Sequence, residues 1–480
     1  MMEQQYIAVD LGAESGRVML GTLGDSGIFL KEMHRFPNGA VRTRETLHWD
    51  ILRLWSEIQA GIAHAMEDNP TIAGIGIDTW GVDFGLMDQH GELLGNPVHY
   101  RDSRTDGMVD VFFHGISAEK VFGITGSQTM AFNTLFQLLA VARKNPELLA
   151  QARHLLFMPD LLGYWMTGEM RTEYTIASTA QMLDARARRF SPEILAAMGV
   201  PESLFPPIIF PGQRLGTVNS QSAAFVRVSG VPVLAVGSHD TASAVAAVPA
   251  HGKDWLFLSS GTWSLLGAEV NEPVLTPRAR EFNLTNEGGL GGTIRLLKNI
   301  AGLWPLQECR RAWAREGKDF EYRTLVQLAR EEPAGTAILD LNDPLMVSTG
   351  DMPRKIAEHC RQRGQRVPET PGRFTRVILE SLAATYAQVR AMLEEVTGRK
   401  FKHLHIVGGG SQNELLNQLA ANATGMEVHA GPVEATAMGN ILAQALGTGQ
   451  IASLATGREL VAKTAQVKIY KPQSGDTENG

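Results

Sequence analysis

The sequence predicts an α/β protein built as two similar domains facing each other. Three observations predict it. Strand-like and helix-period segments alternate along the whole chain. A hairpin-like stretch near residue 10 has an echo about half a chain later. At 480 residues the chain also exceeds what one hydrophobic core usually serves.

The elements follow in order. IAVDLG (7–12) is an apolar strand that stops at a glycine, and LRLWSEIQAGIAHAME (52–67) has apolar residues at helical spacing. A strand, IAGIGIDTW (72–80), and a helix, TLFQLLAVARK (134–144), come next, then strands VPVLAVG (231–237) and WLFLSSG (255–261). The helical RVILESLAATYAQVRAMLEEV (376–396), the strand HLHIVGGG (403–410) and the helical NELLNQLAANATG (413–425) complete the alternation. VPAHGKD (248–254) gathers Pro, Gly and charge and marks a join, giving domains 1–247 and 248–480. The polar tail QSGDTENG (473–480) is expected to fray.

Composition narrows the function. The chain is 44% hydrophobic and 20% charged with a net charge of −7, which argues against a nucleic-acid or anionic-membrane binder. Basic stretches such as DARARRF (184–190) and RKIAEHCRQRGQR (354–366) read as solvated faces. Cys309 and Cys360 are the only cysteines and form no CxxC pair, so neither a disulfide scaffold nor a cysteine zinc site is expected. MMEQQYIAVD lacks a basic leader and a cleavable apolar segment, and no run reaches the roughly 18 apolar residues of a membrane span. A cytoplasmic protein without membrane or nucleic-acid partners, monomeric or a small homo-oligomer, is expected.

Five stretches carry candidate chemistry. In AVDLGAESGRVML (8–20), glycines free the backbone for an anion-binding nest, Ser15 adds a hydroxyl and Arg17 a fixed charge. Asp10 is placed to hold Mg²⁺, directly or through water, beside bound phosphates; the alternative is a plain hairpin. SSGTWS (259–264) repeats the plan with Thr262 as donor, and the pairing suggests two clamps on one phosphate tail. In VGSHDTASAVAAV (236–248), Ser238, Asp240 and Thr241 suit helix capping. Equally, a carboxylate at a helix N-terminus is expected to stay ionised and to accept a proton from a substrate hydroxyl. IGIDTWGVDFGLMD (75–88) offers carboxylates, an aromatic face and bare backbone at Gly81, as a polyol requires, or simply a hairpin with one buried aromatic. In HIVGGGSQNELLNQLAANATG (405–425), three glycines between strand and helix permit close approach of a phosphorylated ligand, with Ser411 or Asn413 as cap. The small-residue face of AGPVEATAMGNILAQAL (430–446) is expected to pack against that glycine turn.

These stretches, with YRDSRT (100–105) and FMPDLLGYWMTGE (157–169), resemble in content and order the carbohydrate kinases of the FGGY family over residues 7 to about 446. The resemblance implies two actin/hexokinase-like (ribonuclease H-like) domains across a cleft. It further implies sugar binding and the base in the N-terminal one and nucleotide binding in the C-terminal one. FNTLFQL (132–138), NLTNEGG (283–289) and LLKNIAGLW (296–304) are similar to members that phosphorylate L-rhamnulose at C1 with ATP and Mg²⁺. By motif, Ala13, Glu14, Ser15, Gly16, Arg17 and Thr262 hold ATP phosphates, and Gln307 and Gly409 lie on the nucleotide side. Gly81, His239, Thr241 and Asn299 contact sugar, and Asp240 is the proton acceptor. Ala13-Glu14 occupies the place where many members carry Thr, and because Glu14 adds a negative charge beside the polyphosphate its side chain is expected to turn away while its N–H contributes. The alternatives are another ketose or polyol kinase of the family, acting for instance on L-fuculose or D-xylulose, or a non-catalytic ATP-binding sugar sensor.

Overall fold

A computed structural model describes residues 2–68, 71–222 and 228–473. The tail expected to fray lies outside the described residues apart from Gln473. The chain divides into two compact units that do not follow chain order. Met1–Pro249, Glu269–Leu296 and Ala435–Ala465 form the first; Ala250–Ala268, Leu297–Glu434 and Gln466–Gly480 form the second.

The first unit is organised on a six-stranded sheet. In chain order its strands are β1 (Gln4–Leu11), β2 (Ser15–Gly24), β3 (Gly27–Pro37), β4 (Ile72–Thr79), β5 (Arg214–Thr217) and β6 (Pro232–Leu234), and in space they run β5-β6-β4-β1-β2-β3. Central β1 is apolar on both faces, with Ile7, Ala8 and Val9 fully buried, because both sides of the sheet are covered. Helix α1 (Ile51–Ala65) is capped by the Asp50 carboxylate on the Arg53 N–H. It lies so close to β2 that a Cβ on Gly61 would sit 2.4 Å from Val18. Two further helices matter for the site, α2 (Asp240–Ala246) and α3 (Ala435–Gly447). They approach each other so tightly that a Cβ on Gly439 would lie 1.7 Å from the Ser243 carbonyl oxygen. The small face expected to meet the triple glycine therefore receives α2, since only glycine admits backbone that near.

In the second unit β7 (Trp255–Ser260) pairs antiparallel with β8 (Ser264–Val270) and parallel with β9 (His403–Val407). Beyond β9 come parallel β10 (Glu427–Ala430) and antiparallel β11 (Lys468–Tyr470). The 27-residue helix Pro371–Thr397 buries Tyr386, whose hydroxyl meets Ser264 Oγ at 2.8 Å. The internal echo is thus one of topology. In each unit the first strand of a hairpin pairs antiparallel with the second and parallel with a later strand, β4 in one and β9 in the other. Cys309 and Cys360 are both free and buried, and no helix among the described residues is long and apolar enough to cross a membrane.

Candidate active site

In the first unit the C-terminal ends of parallel strands converge, the place where open α/β sheets bind ligands. Asp10 and Asp78 are register partners on β1 and β4. Asp10 also faces Arg17 across the β1–β2 hairpin, and both Arg17 Nη2 (2.6 Å) and Nε (3.0 Å) reach its Oδ2. The carboxylate and guanidinium that the sequence separates by seven residues are therefore a cross-strand ion pair. Asp78 is fully buried, and its Oδ2 accepts from Asn440 Nδ2 on α3 at 2.6 Å. Burial raises its pKa well above the carboxylate range, and the charges of Asp10 and Asp240 push the same way. Its Oδ1 accepts no hydrogen bond among the described residues.

The hairpin tip differs from expectation in one respect. Neither Gly12 nor Gly16 adopts a positive φ. Gly16 is needed instead for contact, because a Cβ there would lie 2.3 Å from the Phe36 ring. Ala13 and Ser15 are half-buried at the tip, and the Glu14 side chain is exposed.

Asp240 opens α2 but does not cap it. The N-cap position belongs to His239, which makes no side-chain capping bond. The Asp240 carboxylate accepts from Thr241 Oγ1 at 3.0 Å. Its pKa is raised, not lowered as the helix dipole suggested: burial dominates, opposed by His239 and assisted by Asp10. A seven-residue helix supplies too little field to outweigh lost solvation.

Behind Asp240, His239 connects to a set of groups the sequence did not single out. His239 Nε2 is 3.5 Å from Asp240 Oδ1. On the other side of the ring, Nδ1 lies 3.2 Å from Arg295 Nη2 and 3.2 Å from Glu287 Oε2. Arginine can only donate and a carboxylate can only accept, so these two contacts on Nδ1 call for opposite tautomers of the ring. Arg295 is fully buried and pairs with Glu287 at 3.2 Å. A third buried carboxylate, Glu173, accepts from Thr175 Oγ1 (2.6 Å) and the Ser238 N–H (3.3 Å), while Thr175 Oγ1 accepts from the His239 N–H (3.2 Å). Burial lifts the Glu173 pKa to about 7. Glu287 lies inside NLTNEGG, the one sequence signal that pointed here.

Gly81 follows β4, whose Thr79 forms a parallel bridge to His239, so this loop joins the same strand ends. The next residue, Val82, has φ +69°, a strained conformation for a β-branched side chain. Asp83 is not available as a sugar ligand. Its Oδ2 accepts from Trp49 Nε1 (2.6 Å), Trp80 Nε1 (3.1 Å) and the Tyr100 N–H (3.2 Å), and its Oδ1 from Gln137 Nε2 (2.9 Å). It fixes two indoles whose ring centres lie 3.9 Å apart with their planes tilted by 32°, and burial raises its pKa to about 6.

In the second unit Thr262 and Gln307 come together, Gln307 Nε2 donating to Thr262 Oγ1 at 3.1 Å. Gly408 has φ +82°, and a Cβ on Gly410 would lie 2.1 Å from Ser260 Oγ, so both need glycine. Gly409 is exposed with open space around it, and Asn413 rather than Ser411 caps the following helix, Glu414–Thr424. Asn299 is half-buried beside Lys298, whose pKa burial lowers to about 8.

Comparison with known proteins identifies the class. The N-terminal-domain model of the FGGY family of carbohydrate kinases matches residues 5–247, and its C-terminal-domain model matches 256–448. The chain belongs to this family: it is a two-domain sugar phosphotransferase with ATP as a substrate. A rhamnulokinase of Bacteroides thetaiotaomicron is 45% identical over 472 residues, 98% of this chain and 96% of that protein. One from Enterococcus faecalis is 40% identical, over 99% of this chain and 96% of its own. Among solved structures, gluconate kinase from Lactobacillus acidophilus superposes with a TM-score of 0.79 at 16% identity, covering 98% of this chain and 94% of that one. Plasmodium falciparum glycerol kinase with ADP reaches 0.74 at 14% identity, with 98% and 94% coverage. At these identities the structures attest the fold.

Proposed function

We propose that the enzyme transfers the γ-phosphate of ATP to the C1 hydroxyl of L-rhamnulose, giving L-rhamnulose 1-phosphate and ADP in the cytoplasm. Substrate choice follows the relatives named rhamnulokinase. The chemistry rests on one observation: Asp240 opens α2 where parallel strands end, its carboxylate accepting from Thr241 Oγ1 at 3.0 Å and lying 3.5 Å from His239 Nε2. It takes the proton of the C1 hydroxyl as that oxygen attacks the γ-phosphorus and the bond to the departing ADP oxygen breaks. His239, Thr241, Gly81 and Asn299 orient the sugar. Ala13 to Arg17, Thr262, Gln307 and Gly409 contact ATP, which divides the work between residues 1–247 and 248–480. The hard oxygens of Asp10 and Asp78, one of them without a hydrogen-bond donor, suit Mg²⁺, held through Asp10. When bound, the cation neutralises phosphate charge.

An ADP-release assay tests this with L-rhamnulose, L-fuculose, D-xylulose and glycerol. L-Rhamnulose is expected to give the highest kcat/KM. A higher value with another ketose reassigns the substrate, and nucleotide binding without turnover on any of them indicates a sensor.

Two predictions concern the charged groups. Arg17→Ala removes a charge-assisted contact worth about 1.5–3 kcal/mol, so KM for ATP should rise about tenfold or more with kcat changed less. Initial rates at varied ATP measure it; an unchanged KM removes Arg17 from the site. The second concerns pH. A base works deprotonated, so kcat/KM for the sugar falls as pH drops, and the raised pKa of Asp240 sets that fall above the pH of an ordinary aspartate. A rate profile flat down to pH 4 contradicts it.

A further inference from the structure

Away from these residues, β9 and β10 carry HLHIV and EVHA side by side. Their parallel register sets His403 opposite Glu427 and His405 opposite His429. Side chains alternate along a strand, so these four residues share one face of the sheet. Three of them converge: His429 Nε2 lies 2.9 Å and His403 Nδ1 4.0 Å from the same Glu427 oxygen, Oε1. They are the one group of three among the described residues whose possible ligand atoms all lie within 4.8 Å of one another. Both nitrogens are shut off from solvent beside the carboxylate, and neither makes a hydrogen bond of good geometry. The His429 ring is held in plane by His405, stacked on it at 4.8 Å, and His405 in turn takes the edge of Trp255 at 5.9 Å.

We infer that His403, Glu427 and His429 form a binding site for a zinc-class divalent cation that clips β9 to β10. Two imidazole nitrogens and a carboxylate oxygen are the ligand types such ions take, and water supplies the fourth position. Bonds of about 2.0–2.1 Å in a tetrahedron set ligand atoms about 3.3 Å apart. The contacts at 2.9 and 4.0 Å bracket that separation, so side-chain shifts of under about 1 Å close the site. Mg²⁺ prefers an all-oxygen shell and does not compete. Lys471 Nζ, 4.0 Å from Glu427 Oε2, opposes the cation.

The test titrates Zn²⁺ into the full-length, chelator-treated enzyme by calorimetry, with excess Mg²⁺ and no nucleotide. One site is expected. His429→Gln and Glu427→Gln should each weaken it about 10–100-fold, and Lys471→Ala should tighten it, with ADP-release kinetics like the parent's in all three. His403→Gln, at a more exposed ring, serves the same purpose if His429→Gln fails to fold. No Zn²⁺ uptake by the parent, parent-like affinity in the His and Glu variants, or weaker binding in Lys471→Ala each overturns the inference.

Discussion

Asp240→Asn is expected to lower kcat by about 10²–10⁴-fold while KM for ATP and for the sugar stays near the parent value. The substitution keeps shape and removes only the capacity to take a proton. A structural role for this side chain predicts a different result. Asp240 is not the N-cap of α2, its carboxylate bonding to the neighbouring Thr241, and burial raises its pKa, which makes its charge costly where it sits. The variant should therefore melt at or above the parent temperature, a pairing of lost turnover with kept stability that a helix cap would not produce. Parent-like turnover would end the assignment.

Gly439→Ala should have the largest effect on folding. Its Cβ would stand 1.7 Å from the Ser243 carbonyl oxygen, and the obstacle is backbone, which cannot rotate away. Overpacking ordinarily costs about 1–3 kcal/mol, and a backbone clash lies at or beyond the upper end. In a unit of this size each kcal/mol lowers Tm by about 2–4 °C. Prising α2 from α3 also moves Asp240 and the Asn440 amide that holds Asp78, so kcat falls with Tm. Gly409→Ala is the contrast. Nothing lies within 4 Å of its Cβ position, so Tm should hold while KM for ATP rises as a methyl intrudes on the approach to its backbone. Equal melting temperatures for Gly439→Ala and the parent would refute the packing argument.

What the sequence made legible was local. The alternation of periods, the two hairpins, and Asp240 at a strand-to-helix turn all follow from spacing and turn chemistry. Even the Asp10–Arg17 pair is implicit in a symmetric hairpin, where residues equidistant from the tip face each other. What stayed hidden depends on partners far along the chain. Asp78 meets Asn440 across 362 residues, and His239 meets Arg295 across 56, so no window on the sequence contains both members. The sign of the Asp240 shift was hidden for the same reason. The dipole of α2 can be written from residues 240–246, but the burial that outweighs it comes from the surrounding fold.

The discontinuity of the first unit has a consequence for biosynthesis. Gly439, Asn440 and Gln444, which seat α2, bind the Asp78 carboxylate and cap the Ile7 carbonyl, leave the ribosome more than 400 residues after β1. A nascent or prematurely ended chain that stops before α3 has every proposed catalytic side chain and none of these braces. The first half of the enzyme is thus translated early but finished late, and any nonsense change upstream of residue 435 disables chemistry encoded near the start.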